Sequence, residues 1–397
     1  MSVEMSKSKR ILFLITVFLT NIAVMGDNVM YPIINNLYGE FYTQIGLVNY
    51  VVSGPLLIIF IVSLLATSLL KKMTKKTMLI IGGSLFAVST IFGAAVHSAL
   101  FMAVMRTFTG IGQALVNVAA MALIAEVYVD ENKRGWVMGI YNSVMAGIGM
   151  IFSLVSGLLA TSGWQNSYRT YWVAVPMVVM MILFLPSIRV NKENETEDAH
   201  TAAKGKKQPF SLSFWVIIAA VALVTLAFNM MAFYVSVYVA EHNLGNEAVA
   251  GLMSSCISCG SMLFCLIFGW LYGKYKKNAL MVCCGLLAVA LALLYFIPNV
   301  AVTAVACLMV GGSYGMTFSF SYAHGSAIAP EGRVDDAIGI ATAAYAISGF
   351  LSTYISTWLM GIMSSSGAFT PTLIVPLAAM VVCIVIYPLV TKEKKEV

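Results

Sequence analysis

RTFTGIGQALVN, residues 106–117, decides how the chain is read. It sets an arginine, two glycines spaced G-x-G, a glutamine and an asparagine inside the apolar run 99–127. Of the 23 Lys and Arg residues, Arg106 alone sits too deep in such a run to reach a membrane surface. A charge buried in lipid costs at least about 2.5–3.5 kcal/mol unless it is paired or lines a wet cavity, so Arg106 marks a functional position.

Working outward, the composition agrees with a membrane setting. The chain has 397 residues, 60% hydrophobic and only 10% charged, against about 25% charged in soluble domains. The net charge of +6 is carried by short basic clusters between apolar runs, which excludes a nucleic-acid-binding reading. The first apolar run is longer than a signal peptide and has no small-residue cleavage site, so it reads as the first membrane helix. All seven cysteines fall in apolar segments and read as packing residues, Cys256-x-x-Cys259 included.

Twelve runs are long enough to cross a core that needs about 20 helical residues. They are 11–38, 43–70, 78–96, 99–127, 136–161 and 171–186, then 212–240, 248–272, 279–296, 300–329, 337–360 and 370–390. A β-barrel would show shorter segments of alternating polarity. The expected class is therefore an all-α polytopic membrane protein, with a six-helix bundle at 1–186, a polar cytoplasmic linker at 187–211 and a second six-helix bundle at 212–397. With the N-terminus inside, 21 of the 23 basic residues fall on cytoplasmic segments, so both termini are expected in the cytoplasm, in the plasma or inner membrane.

The halves superpose at an offset of 202 residues, which sets Lys72 on Lys274, Gly110 on Gly312 and Asp27 on Asn229. Parallel six-helix repeats with a binding site at the midplane describe one large transporter architecture. On these residues the chain resembles the major facilitator superfamily over its whole length. RTFTGIGQA resembles that superfamily's helix 4 motif R-x-x-x-G-x-G-x-A at Arg106, Gly110, Gly112 and Ala114. The loop after the second helix, TSLLKKMTKK, resembles its G-x-x-x-D-R-x-G-R-K signature only in the basic residues; Lys71 stands where the acid belongs, and in the second copy, GWLYGKYKKN, Gly273 does. The helix 5 motif G-P-x-x-G-G of drug and proton antiporters is replaced by FSLVSG, residues 152–157, without proline.

Arg106, Gly110, Gln113 and Asn117 fall within roughly 60° of one helix face, which is expected to line a cavity. Asp27 is the only acid well inside an apolar span, roughly 24 Å from the inner end of its helix, and Arg106 lies roughly 10 Å from the outer end of its own. The similar depths predict an Asp27–Arg106 pair, direct or through water, that a proton on Asp27 would open. The same geometry also suits a static structural ion pair. Tyr31 shares the Asp27 face, Pro32 is expected to kink the helix beside it, and Asn21, Asn28 and Asn35 form a neighbouring stripe. In the second half Asn229, Phe233, Tyr345 and His324 supply uncharged polar or aromatic groups, His324 also reading as an ordinary hydrogen-bonded histidine. Tyr31, Gln113, Asn117, Asn229, Phe233, Tyr345 and His324 are the expected solute contacts, with Asp27 and Arg106 in proton coupling. Glu126, near Lys133 and Arg134, together with Lys72 and Lys274, is expected at the gates, and His97 at the membrane interface.

The resemblance implies a secondary transporter that moves a small organic solute by alternating access, coupled to protons, with export slightly favoured. The absence of arginine in the run 212–240 argues against a phosphate ester, and a neutral, aromatic or cationic solute fits better. A nutrient symporter or uniporter is the nearest alternative, and a non-transporting sensor a further one. The expected partners are the solute, protons and the lipid bilayer, with the chain a monomer and no nucleic acid bound. No nucleophile–base pair, metal cluster or phosphate loop points to an enzyme or a cofactor.

Overall fold

Polar residues at the run ends start the helices. Thr74 Oγ1 accepts from Thr77 N at 3.2 Å, Ser98 Oγ from Phe101 N at 3.4 Å, and Asn299 Oδ1 from Ala301 N at 2.9 Å, each supplying a side-chain acceptor to a helix's first N–H groups. The computed structural model describes residues 7–128, 131–185, 209–330, 333–362 and 370–390, and among them there is no strand.

The helices are α1 (Lys7–Leu19), α2 (Asn21–Val24), α3 (Ile34–Glu40), α4 (Ile45–Lys72), α5 (Lys75–Ile91), α6 (Ala99–Val127), α7 (Glu131–Ala160) and α8 (Ala174–Phe184). They continue with α9 (Leu212–Glu241), α10 (Glu247–Tyr275), α11 (Ala279–Phe296), α12 (Val300–Ala327), α13 (Val334–Ile362) and α14 (Thr370–Val390). Helix thus occupies every one of the apolar runs. By length and composition eight described helices can cross a membrane, nine when the bent pair Ile11–Val24 and Gly26–Glu40 counts as one span. Their outward faces carry large apolar side chains, Leu266, Trp270 and Leu183 among them, as lipid requires.

Two expectations change. The first run is not one kinked helix: 3-10 turns at Gly26–Val29 and Tyr31–Ile33 separate α2 from α3, with a 50° bend. The break starts at Met25, well before Pro32. The sixth run begins in a 3-10 segment, Trp164–Val173, before α8. Nearly all of the linker expected at 187–211 lies outside the described residues.

The chain forms two compact units. One holds Met1–Arg189 with Phe233–Ser258, the other Val190–Ala232 with Cys259–Val397. In the first unit α7 and α10 cross backbone to backbone: a Cβ on Gly157 would lie 2.7 Å from Gly251 Cα and 2.5 Å from Glu247 O. Hydrogen bonds from Asn36 Nδ2 to Glu247 Oε1 (2.9 Å), from Asn35 N to Ser236 Oγ (3.2 Å) and between the Tyr38 and Tyr234 hydroxyls (2.8 Å) bind the same segment to α3. In the second unit α11 packs between α12 and α14, and α12 also meets α13.

Candidate functional site

The site is built on the break in the first helix. Pro32 has no N–H to offer the carbonyl of Val29 three residues back or that of Asn28 four residues back. Ile33 N turns instead to Met30 O, at 3.0 Å. Bare carbonyls in a membrane core are costly, and α7 supplies their donors. Ser156 Oγ donates to Val29 O at 2.5 Å and Ser153 Oγ to Asn28 O at 3.3 Å, the two serines sharing one helix face at i, i+3. Tyr171 Oη donates to Gly26 O at 2.9 Å, and Gln113 Nε2 to Ala23 O at 3.1 Å. Gly26 admits the ring of Phe86, whose Cε2 stands 2.5 Å from where a Cβ would be.

Asp27 sits in this break, and Arg106 reaches it from α6. Arg106 Nη2 donates to Asp27 Oδ1 at 2.7 Å, with side-chain exposures of 4% for Arg106 and 15% for Asp27. The expected pair is therefore direct. Arg106 Nε donates to Val51 O, also at 2.7 Å. That carbonyl has no helical partner four residues on, because Pro55 stands there inside α4. Arg106 Nη1 has no hydrogen-bond partner among the described residues. Tyr168 and Tyr171 lie within electrostatic reach of the guanidinium.

The two motif glycines face different neighbours. A Cβ on Gly110 would meet Pro55 Cα, Pro55 O and Ile58 Cβ, all at 2.9 Å, and one on Gly112 would meet Gly82 O at 2.7 Å and Phe86 N at 2.8 Å. The first lets α6 close on α4, the second on α5. The face carrying Arg106, Gly110 and Gln113, expected to line a cavity, is here packed and hydrogen-bonded, because proline-freed and break carbonyls draw its donors. Asn117, one turn further along, is half-buried.

Of the expected solute contacts, Tyr31 and Phe233 meet edge to face with centroids 5.4 Å apart. Gln113 keeps Oε1 without a partner among the described residues. In the second unit Asn229 Nδ2 turns back to Thr225 O at 2.8 Å. Its neighbour Phe228 stacks on Tyr314 at 3.9 Å, and Tyr314 and Phe318 stand at 5.9 and 5.1 Å from Tyr345. His324 Nδ1 lies 3.2 Å from Tyr272 Oη and its ring stacks on Phe320 at 5.1 Å, an ordinary hydrogen-bonded setting.

A family model described as the Major Facilitator Superfamily matches residues 15–353. The chain belongs to that superfamily. It is a multi-pass membrane transporter and not an enzyme. Among superfamily relatives, the "Multidrug resistance protein MdtL" of Shewanella oneidensis is 23% identical over 329 residues, covering 80% of each chain. The "Methyl viologen resistance protein SmvA" of Salmonella typhimurium is 26% identical over 171 residues, 43% of this chain and 32% of that protein. The "Methylenomycin A resistance protein" of Bacillus subtilis is 26% identical over 122 residues, 30% of this chain and 26% of its own. Solved structures of the nucleoside transporter NupG (TM-score 0.74, 13% identity, covering 97% of this chain and all of that one) and the D-xylose-proton symporter (TM-score 0.70, 15% identity, 95% and 97%) share the fold.

In the loop that resembles the superfamily's signature, Lys75 Nζ lies 2.6 Å from Glu126 Oε2. Glu126 had been expected near Lys133 and Arg134, whose side chains, like that of Lys72, lie outside the described ones. A carboxylate at the end of α6 is thus held by the start of α5. Lys274 rests over the rings of Trp270 and Tyr275, at 5.4 and 5.5 Å. His97 Nε2 lies 2.9 Å from Glu40 Oε1, and its half-exposed side chain fits an interfacial position. Sequence reasoning missed Pro55 with Val51, and also Ser153, Ser156, Tyr168 and Tyr171. The signal for Pro55 and Val51 was available, because a proline inside an apolar run names the carbonyl it frees; it does not name the donors, such as the two serines, that answer one. Nothing in the spacing pointed to the two tyrosines.

Proposed function

We propose that this superfamily member is a proton-coupled secondary transporter that moves a small organic solute across the cell membrane by alternating access, in the direction of export. The single observation that carries the reading is the nearly buried Asp27–Arg106 ion pair set in a helix break. A static ion pair has no need of an irregular backbone. Placed in a break, the carboxylate can exchange its partner for a proton while the surrounding carbonyls keep their own donors, and this biases one state of the transporter over another. Relatives named for resistance to several drugs, to methyl viologen and to methylenomycin A support export.

We assign Tyr31, Phe233, Asn117 and Gln113 through its Oε1 to solute contact in the first unit, and Asn229 and Tyr345 to solute contact in the second. Glu126 with Lys75, and Lys72 and Lys274, act at the gates. Segments 1–186 and 212–397 act as the two functional halves of a monomer, with both termini cytoplasmic. The missing proline in FSLVSG favours one second reading, a nutrient symporter or uniporter.

The test is flux in reconstituted vesicles under an imposed pH gradient, with methyl viologen and a metabolite panel as probes. Wild-type protein accumulates solute against its gradient while protons move the opposite way. Asp27→Asn loses gradient-driven accumulation and keeps part of solute exchange. Unchanged accumulation in Asp27→Asn sinks the coupling role, proton movement in the solute's direction selects the symporter, and binding without flux selects a sensor.

A further inference from the structure

The guanidinium edge formed by Nε–H and the adjacent Nη2–H is the edge that fits both oxygens of a carboxylate. Arg106 does not use it that way. Nη2 goes to Asp27 Oδ1, and Nε goes to Val51 O, each at 2.7 Å. Val51 O accepts it because residue 55, four positions on in α4, is proline and brings no N–H. Gly110, one turn after Arg106, lets α6 approach Pro55 closely enough for the bond to form.

We infer that Pro55 is a positioning residue for the Asp27–Arg106 pair: by freeing the Val51 carbonyl it takes half of the Arg106 fork away from Asp27 and leaves the pair on one hydrogen bond. Two consequences follow. The pair stays weaker than a forked one, so a proton competes with it more easily. When Asp27 is neutral, Arg106 still holds a carbonyl and is not left as a bare buried cation. The titratable groups around the pair are Tyr31 on the broken helix and Tyr168 and Tyr171 on the 3-10 segment. Of the other packed elements, α5 presents the Phe86 ring, α7 the hydroxyls of Ser153 and Ser156, α6 the carboxamide of Gln113, and α4 the Val51 carbonyl itself.

The inference rests on the proton-coupling reading, and Pro55→Ala tests it separately. Alanine restores a helical N–H aimed at Val51 O and adds no bulk at Gly110. The displaced Nε then turns toward Asp27, and the pair becomes forked. In purified protein, the infrared band of the protonated carboxyl, assigned by its loss in Asp27→Asn, is titrated in wild type and Pro55→Ala. The midpoint is expected to fall by about one pH unit, a tenfold higher proton concentration for the same protonation. The pH midpoint of vesicle transport falls with it. In an Arg106→Lys background, where no fork exists, Pro55→Ala moves the infrared midpoint by less than a third of that shift. An infrared midpoint that is unchanged or rises in Pro55→Ala overturns the inference, and so does a full shift in the lysine background. Wild-type transport without pH dependence, beside a shifted infrared titration, overturns the coupling reading and leaves the role of Pro55 standing.

Discussion

The broken first helix and α9 are counterparts at the 202-residue offset, yet they treat their polar residue in opposite ways. Asp27 lies in a 50° break and is held by Arg106 of α6, which also binds Val51 O of α4, while α7 and the segment before α8 donate to the carbonyls of the break. Asn229 lies within 30 unbroken helical residues, and its amide is satisfied by Thr225 O of its own helix. The partners diverge in step: Arg106 corresponds to Leu308, and Pro55 to Ile257. A neutral carboxamide can be housed by one turn of helix. An ionised carboxylate needs a cation, a cation needs acceptors, and prolines in two helices help to provide for them.

The sharpest way to break this comparison is Arg106→Ala. It leaves Asp27 unpaired and the Val51 carbonyl open, and losing one partner of a buried pair costs about 3–5 kcal/mol. Thermal unfolding in detergent should register that loss, and solute flux should fall to background. Wild-type flux in the variant would mean that the charge in the first half is structural only. A smaller effect separates the two motif glycines. At Gly110 an alanine Cβ meets the backbone of Pro55 at 2.9 Å, whereas at Gly312 it meets the ring of Phe264 at 2.6 Å. Backbone yields less readily than a ring, so Gly110→Ala should cost about 1–3 kcal/mol and Gly312→Ala clearly less, read as the difference between their unfolding midpoints. The smallest effect belongs to Asn229→Ala. It removes one hydrogen bond inside one helix, worth about 0.5–1.5 kcal/mol. A loss as large as that of Arg106→Ala would show that the second half depends on its polar residue as the first does.

The fold was legible because hydropathy reports directly on burial in lipid, and helix occupies each apolar run, broken in the first and preceded by a 3-10 segment in the sixth. The Asp27–Arg106 pair was legible for a related reason: two opposite charges in apolar helices, at similar depth, have few other ways to avoid desolvation. The break in the first helix was legible only in part: Pro32 marks a kink, but hydropathy averaged over the whole run hides that Gly26, Asp27 and Asn28, residues that favour turns, start the break earlier. Gln113 shows the same limit. Its position on the Arg106 face was read correctly, but its donor is spent on Ala23 O, a demand visible only once the first helix is known to be broken there. Glu126 took Lys75 because α5 and α6 pack closely along their length, a tertiary fact that sequence distance hides.

The break also bears on how the chain is made. The apolar segment ahead of it, Ile11–Val24, is shorter than the roughly 20 residues that span a bilayer core, and Asp27 follows at once. Its cation lies 79 residues further along, and the α7 serines further still. A nascent chain that has emerged only through α4 holds an ionisable side chain and unsatisfied carbonyls with nothing yet synthesised to receive them. The hydrogen-bond partners of the first helix are therefore complete only once α6, α7 and the segment before α8 have been made.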